Sequence, residues 1–292
     1  MRDIYTYTYP DDPAREDDGL FGPGSVTWRL METRIMWVAA VRALILQALH
    51  PRVIRGTLQN ATGITEPTEA WARLRRTRKF VETCTFGTVA EAERAGLRLR
   101  KIHESLTGTD PDGTRYRVDE PGLLLWVHCA EVASVVDVAS RSGIRVGAAD
   151  LDAFVDEQRR RAGLVGFDPA DAPASVAELG AYFERIRPGL YACDEAKETL
   201  RLLTRPPVPE GNRALKLGLP PVNALAFATL PGWARRMYGR PDGPLTGLAA
   251  TAGLRAARLA LGRQKLFMGA MRAVHRAERA GEKSQLHLTG VG

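Results

Sequence analysis

Most of this chain repeats apolar residues every three or four positions, which is the spacing of one face of an α-helix. We find no convincing run of alternating apolar and polar residues, the pattern typical of a half-buried strand. Helices are predicted over about residues 27–49, 66–86, 90–106, 121–142, 149–162, 176–186 and 194–203, and again after the proline-rich segment 205–211. The pattern therefore predicts an all-α fold.

The helical pattern is interpreted as one domain over residues 25–280. Residues 1–24 are interpreted as an irregular N-terminal arm that ends in GPGS, and residues 281–292 as a flexible tail. A chain of 292 residues is long enough for one large core or two modest domains.

One segment is apolar enough to need a membrane check. Residues 35–50, IMWVAAVRALILQALH, contain Arg42 and are shorter than the roughly 20 residues that a spanning helix needs. Residues 121–142 are apolar on nearly every face, which is typical of a deeply buried helix. Both are predicted to be core helices, and no transmembrane segment is predicted. The polar, acidic start lacks an export segment, which predicts a cytoplasmic location.

The charge changes this picture little. Forty-one basic and 34 acidic residues give a net charge of +7, a mild excess spread along the chain. It favours an acidic partner such as a carboxylate-bearing cofactor or a membrane surface. No dense Lys/Arg block or nucleic-acid signature occurs, so no nucleic-acid partner is predicted. Three widely spaced cysteines without a CxxC motif argue against a disulfide framework.

Signatures of common enzymes are missing: there is no GxSxG, GxxxxGK[ST] or HExxH motif, and no GxGxxG after a strand. Three histidines in the apolar half, His50, His103 and His128, are candidates for chemistry. Each also has a purely structural interpretation, as a hydrogen-bonded core residue or, for His50, as a group at a helix end.

Arg73 and Thr77 lie four residues apart and so share one helix face. A buried arginine needs an acidic partner, which a cofactor carboxylate can supply, and Thr77 offers a hydroxyl donor. An ordinary surface ion pair between Arg73 and Glu69, also four residues apart, is an equally good interpretation of the spacing.

Several short motifs occur together in a recognisable order between about residues 22 and 239. They are LHPRVIRG, the RxxxT pair Arg73–Thr77, FG at 86–87, RKIHESLTG, DGTRYRVDEPGLLLWVHC and LPGWARR. In this order they resemble the MpaB-type oxygenase family, an uncharacterised-domain family related to the bacterial latex clearing proteins.

The resemblance implies an all-helical fold with a globin-like core that holds haem b. It implies that His103 is the axial iron ligand and that Arg73 and Thr77 lie near the haem. His50 and His128 match positions in the family's HP and WVH motifs, and a distal-pocket or supporting role is the hypothesis for each. The implied reaction is oxygenation, by O2, of a small, apolar, unsaturated and possibly isoprenoid-like molecule.

This chain also departs from the latex clearing proteins. They carry a lysine before the motif threonine that can occupy the sixth iron position, whereas this chain has Arg76, which does not normally coordinate iron. Their catalytic glutamate has no assigned counterpart here. Two other hypotheses stay open: a non-catalytic haem-binding sensor or redox protein, and a cofactor-free helical interaction protein.

Overall fold

The computed structural model describes residues 17, 19–61, 66–205, 213–240 and 243–261. The predicted tail at 281–292 and most of the predicted N-terminal arm lie outside these residues. Within the described ranges the chain forms twelve α-helices and one small antiparallel hairpin. The helices are α1 Val26–Met31, α2 Met36–Gln47, α3 Pro51–Gln59, α4 Pro67–Phe86, α5 Val89–Glu104, α6 Pro121–Arg141, α7 Ala148–Val165, α8 Val176–Ile186, α9 Asp194–Thr204, α10 Arg213–Ala228, α11 Gly232–Met237 and α12 Pro244–Leu261. Short 3₁₀ turns occur at Pro169–Asp171 and Arg187–Gly189.

The centre of the core is the packing of α2 against α6. Ile45 and Leu46 of α2 and Trp126 and Val138 of α6 are almost completely buried. Trp126 also donates its indole N–H to the carbonyl of Gln47, 3.0 Å away, which joins the two helices at one end. The prediction that these two apolar segments are core helices agrees with this burial.

Arg42 is the one charged residue on the apolar helix α2, and it is buried. It donates to the hydroxyl of Ser134 at 2.8 Å and lies 3.6 Å from the carboxylate of Asp137, both on α6. It also donates to the carbonyl of Thr229. A buried charge is tolerated when it is paired in this way. Arg42 thereby connects α2 to α6 and to the residue that follows α10.

The single helix predicted over residues 27–49 is wrong, because α1 ends at Met31 and α2 begins at Met36. Between the two helices, the amide and the hydroxyl of Thr33 both donate to the carbonyl of Leu30 in α1. Side chains of this kind compete with the helical hydrogen-bond pattern. Sequence analysis also missed α3, which begins directly after the proline turn at His50.

The prediction of no strands was also wrong in one place. Strands β1 (Thr107–Thr109) and β2 (Arg115–Arg117) pair as a hairpin whose turn contains Gly113 at φ +89°. Three residues per strand are too few for an alternating pattern to be recognised. The mostly helical fold is otherwise as predicted.

By length and composition alone, α6 could cross a membrane, and α2 with α3 would form a second candidate if this pair, bent by 99°, were one span. In α6, 61% of the apolar window is buried inside the protein, as expected of a core helix. This is weak evidence in either direction, and the absence of a transmembrane segment stays a prediction.

Candidate functional site

A cavity of about 1600 Å³ lies among α2, α4, α5 and α6, with further walls from α3 and α7. Ligand pockets commonly measure about 300–1000 Å³, so this cavity has room for more than one small molecule. Its walls are largely apolar. Examples of the lining side chains are Val41, Leu44, Leu99, Leu123, Val127 and Val135.

Arg73 and Thr77 line this cavity from α4. Both side chains are exposed, and no salt bridge joins Arg73 to Glu69 or to another carboxylate among residues 66–205 and the other described ranges. Although solvent reaches Arg73, desolvation by the surrounding protein atoms lowers its pKa, and the neighbouring charge of Arg76 lowers it further. The guanidinium is therefore available to an anionic group from outside the chain.

His103 lines the cavity from the end of α5. This helix begins with a capping box in which Thr88 and Glu91 satisfy each other's backbone amides. The imidazole is partly buried, and its Nδ1 is enclosed without a hydrogen-bond partner among the described residues. No carbonyl or carboxylate among the described residues therefore fixes the tautomer of this ring through Nδ1.

Burial lowers the pKa of His103, Arg73 lowers it further, and Asp119 opposes the shift. The ring is consequently neutral near pH 7, since an ordinary histidine has a pKa of about 6.5. A neutral imidazole keeps the lone pair that a metal requires.

His128 lines the same cavity from α6 and is 5% exposed. Burial lowers its pKa to about 3, with a further contribution from the charge of Arg161. Its ring packs edge-on against Phe167, with 5.4 Å between the ring centres. His128 is therefore a neutral side chain in a mostly apolar wall.

Two charged residues in this wall were missed by the sequence analysis. Glu131 of α6 accepts a hydrogen bond of 2.5 Å from Arg161 of α7, and both line the cavity. A signal was present for Glu131, because it lies three residues after His128 and so on the same face of an otherwise apolar helix. Arg161 is the last of three consecutive arginines in α7. Nothing in the sequence indicated that this one, rather than its neighbours, would be buried.

The structure does not bring His50 together with the other candidates. It lies in a separate pocket of about 540 Å³ with Arg52, Arg55 and Asp110. His50 precedes Pro51, takes an extended backbone conformation and is the N-cap of α3. Proline disfavours helical angles in the residue before it, and the chain bends by 99° between α2 and α3 at this point.

Within the described ranges, no group of three or more His, Cys, Asp or Glu side chains is arranged to hold a metal ion. His103 is thus not part of such a group. An iron site here would need its other ligands from a prosthetic group, as in a haem.

Taken together, these features define a helical protein with a large, mostly apolar cavity that is lined by a few polar side chains. Residues 28–262 match the family described as "ER-bound oxygenase mpaB/B'/Rubber oxygenase, catalytic domain". Because the match covers most of the chain, this protein belongs to that family of oxygenase catalytic domains, and the resemblance found in the sequence motifs is confirmed. No curated protein and no solved structure matches the chain.

Proposed function

We propose that this protein is a haem b-dependent oxygenase that uses O2 on a small, apolar, unsaturated molecule. The observation that carries the proposal is that four residues singled out in the sequence, Arg73, Thr77, His103 and His128, line one apolar cavity. They come from α4, α5 and α6, so their convergence is a property of the fold rather than of sequence spacing. Membership of an oxygenase family supports the reaction class.

The side chains present fit a haem. His103 offers a neutral ring with an enclosed, unpartnered Nδ1, so the residue is not committed to hydrogen bonding within the core. Arginines also line the cavity from α4 and α5: Arg73, Arg76, Arg94 and Arg98. Guanidinium groups pair well with carboxylates, so these residues suit the two haem propionates. When bound, the haem supplies the activation of O2.

The chain itself supplies binding, orientation and exclusion of water. His103 would hold the iron, and Arg73 would hold a propionate. The hydroxyl of Thr77 would donate to a propionate or to an oxygen atom in the cavity. Apolar side chains of α2 and α6 would surround the substrate, because unsaturated hydrocarbon gains free energy when it leaves water. A globin-like packing of helices around the haem is part of this proposal.

The test is the ultraviolet-visible spectrum of the protein produced with a haem supply. We expect a Soret band in the wild type that is lost or strongly shifted in His103→Ala. His50→Ala is the matched control, because His50 lies in the separate pocket, and its spectrum should equal that of the wild type. A wild type without a Soret band would favour the cofactor-free interaction protein.

A second candidate function is a haem-binding sensor or redox protein. It is favoured by one observation, namely that a second neutral imidazole, His128, lines the same cavity as His103. If His103 and His128 both held the haem, a gas would have little access to it. Rapid binding of carbon monoxide to the reduced protein supports the oxygenase, and slow or absent binding supports the sensor.

A further inference from the structure

The wall formed by α6 and α7 contains a polar group that the proposed reaction does not use. Glu131 and Arg161 form an ion pair there, and His128 is three residues from Glu131 on α6. All three side chains line the cavity. Charged residues are rarely buried without a reason, since their transfer from water is costly.

The ion pair leaves hydrogen-bonding capacity unused. Arg161 is 5% exposed, and it donates from Nη2 to a single carboxylate oxygen of Glu131. Its Nε–H is buried and has no acceptor among the described residues. A buried donor without an acceptor costs free energy that a ligand oxygen would recover.

The charges at this wall already balance. Arg161 carries one positive charge, Glu131 carries one negative charge, and the deeply buried His128 is neutral. A third charge placed here would have no counter-ion in a poorly solvated environment. The wall therefore favours a ligand atom that accepts hydrogen bonds without being charged.

We propose that Arg161, Glu131 and His128 form a subsite for an uncharged oxygen atom, as in an alcohol, ether or carbonyl, carried by an otherwise apolar substrate. This inference rests on the proposed function, because it narrows the substrate class of the same cavity. The substrate is then an oxygen-bearing, unsaturated apolar molecule rather than a pure hydrocarbon or a fatty acid anion. Its oxygen is held at α6 and α7, and its apolar part extends along α2.

The test uses three probes of matched carbon skeleton: geraniol with a hydroxyl group, geranate with a carboxylate, and myrcene without oxygen. Each is titrated calorimetrically into the protein as purified. We expect geraniol to bind the wild type about tenfold more tightly than myrcene, the effect of one hydrogen bond to a charged group. Equal affinities for geraniol and myrcene would overturn the proposal.

Glu131→Gln tests the charge balance directly. It removes the negative charge and leaves the positive charge of Arg161 without a counter-ion. The affinity for geranate relative to geraniol should then rise at least tenfold, because the probe's carboxylate replaces that of Glu131. An unchanged ratio in a folded Glu131→Gln protein would overturn the proposal.

Glu195→Gln is the matched control. Glu195 accepts a 2.9 Å hydrogen bond from the buried Arg55, and neither residue lines the large cavity. This variant changes the net charge by the same amount and should leave all three affinities unchanged. A rise in geranate affinity equal to that of Glu131→Gln would show that net charge alone is responsible, and would also overturn the subsite.

Glu131→Gln is at risk of failing to fold, because a buried charge loses its partner. The double variant Glu131→Met, Arg161→Met removes both charges together, a change that buried ion pairs often tolerate. It should lose the tenfold preference for geraniol over myrcene, and retention of that preference would contradict the proposal. The Soret band, recorded on each sample, reports on the haem proposal separately from these affinity ratios.

Discussion

At the scale of single residues, the three candidate histidines differ in their surroundings. His128, on α6, is buried, and its ring lies near Phe167 and the charge of Arg161. His103 is partly buried near Arg73 and Asp119. His50 lies in a smaller pocket with Arg52 and Asp110, away from the main cavity. Apolar residues lie close to each histidine in the sequence, so sequence pattern alone did not distinguish these three environments.

The environment of His128 leads to a prediction about acid stability. Its pKa is about 3 in the folded protein, against about 6.5 when exposed. Between these values the unfolded chain binds more protons, so the free energy of unfolding decreases as the pH falls below about 6.5. Between about pH 7 and pH 5 we expect the wild type to lose about 2 kcal/mol more than His128→Gln. Urea unfolding at several pH values measures this difference.

Other groups also titrate in this range, and they are common to both proteins. The comparison therefore isolates residue 128. Parallel dependences of stability on pH in the two proteins would contradict a buried, neutral imidazole at this position.

At the scale of elements, the site depends on a close approach of α5 and α7. Gly96 of α5 faces the carbonyl of Leu164 on α7, and a Cβ atom at Gly96 would lie 2.9 Å from that oxygen. The same carbonyl accepts a 3.0 Å hydrogen bond from Arg100. Glycine at this position allows α5, which carries His103, to lie directly on α7, which carries Arg161.

Gly96→Ala should therefore destabilise the protein, although alanine is the better helix former. The added methyl group meets backbone atoms that cannot rotate away, and overpacking of this kind costs about 1–3 kcal/mol. A decrease of about 5 °C in melting temperature is expected. The measurement is thermal unfolding followed by circular dichroism.

Gly180→Ala is the control for this change. Gly180 is exposed on α8, and no atom outside its own helix lies within 4 Å of its added Cβ. Its melting temperature should be equal to or higher than that of the wild type. Equal effects of the two substitutions would show that α5 and α7 are not in close contact.

The elements also show where sequence reasoning was reliable. Long amphipathic helices with clear ends were predicted well, as in α8, whose bounds Val176–Ile186 match the prediction. Short elements were missed, namely α3 and the hairpin of β1 and β2. Nine residues or fewer contain too few repeats for a periodic pattern to stand out, and tertiary contacts stabilise such pieces. One of these contacts is the hydrogen bond from the Tyr116 hydroxyl to the carbonyl of Arg52.

At the scale of the whole molecule, the cavity of about 1600 Å³ leaves a large apolar surface unfilled by side chains. A ligand that binds only the folded protein stabilises it by mass action. At about one hundred times its dissociation constant, haem should add about 2.7 kcal/mol to the free energy of unfolding. For a chain of this size we expect the melting temperature to rise by about 4–5 °C.

Differential scanning calorimetry with and without haem measures this shift. His103→Ala should show a smaller increase, because its iron ligand is lost. Equal increases in the wild type and in His103→Ala would show that haem binds elsewhere or without His103.

The sequence by itself determined the helical fold class, the two core helices and the family, because periodic apolar patterns and ordered short motifs are local properties of the chain. It also identified Arg73, Thr77, His103 and His128 as candidates. Only the tertiary structure decided that these four share one cavity, that His50 lies outside it, and that Glu131 pairs with Arg161 in its wall. Residues far apart in sequence meet through the packing of α4, α5, α6 and α7, and neither spacing nor composition specifies the relative positions of packed helices.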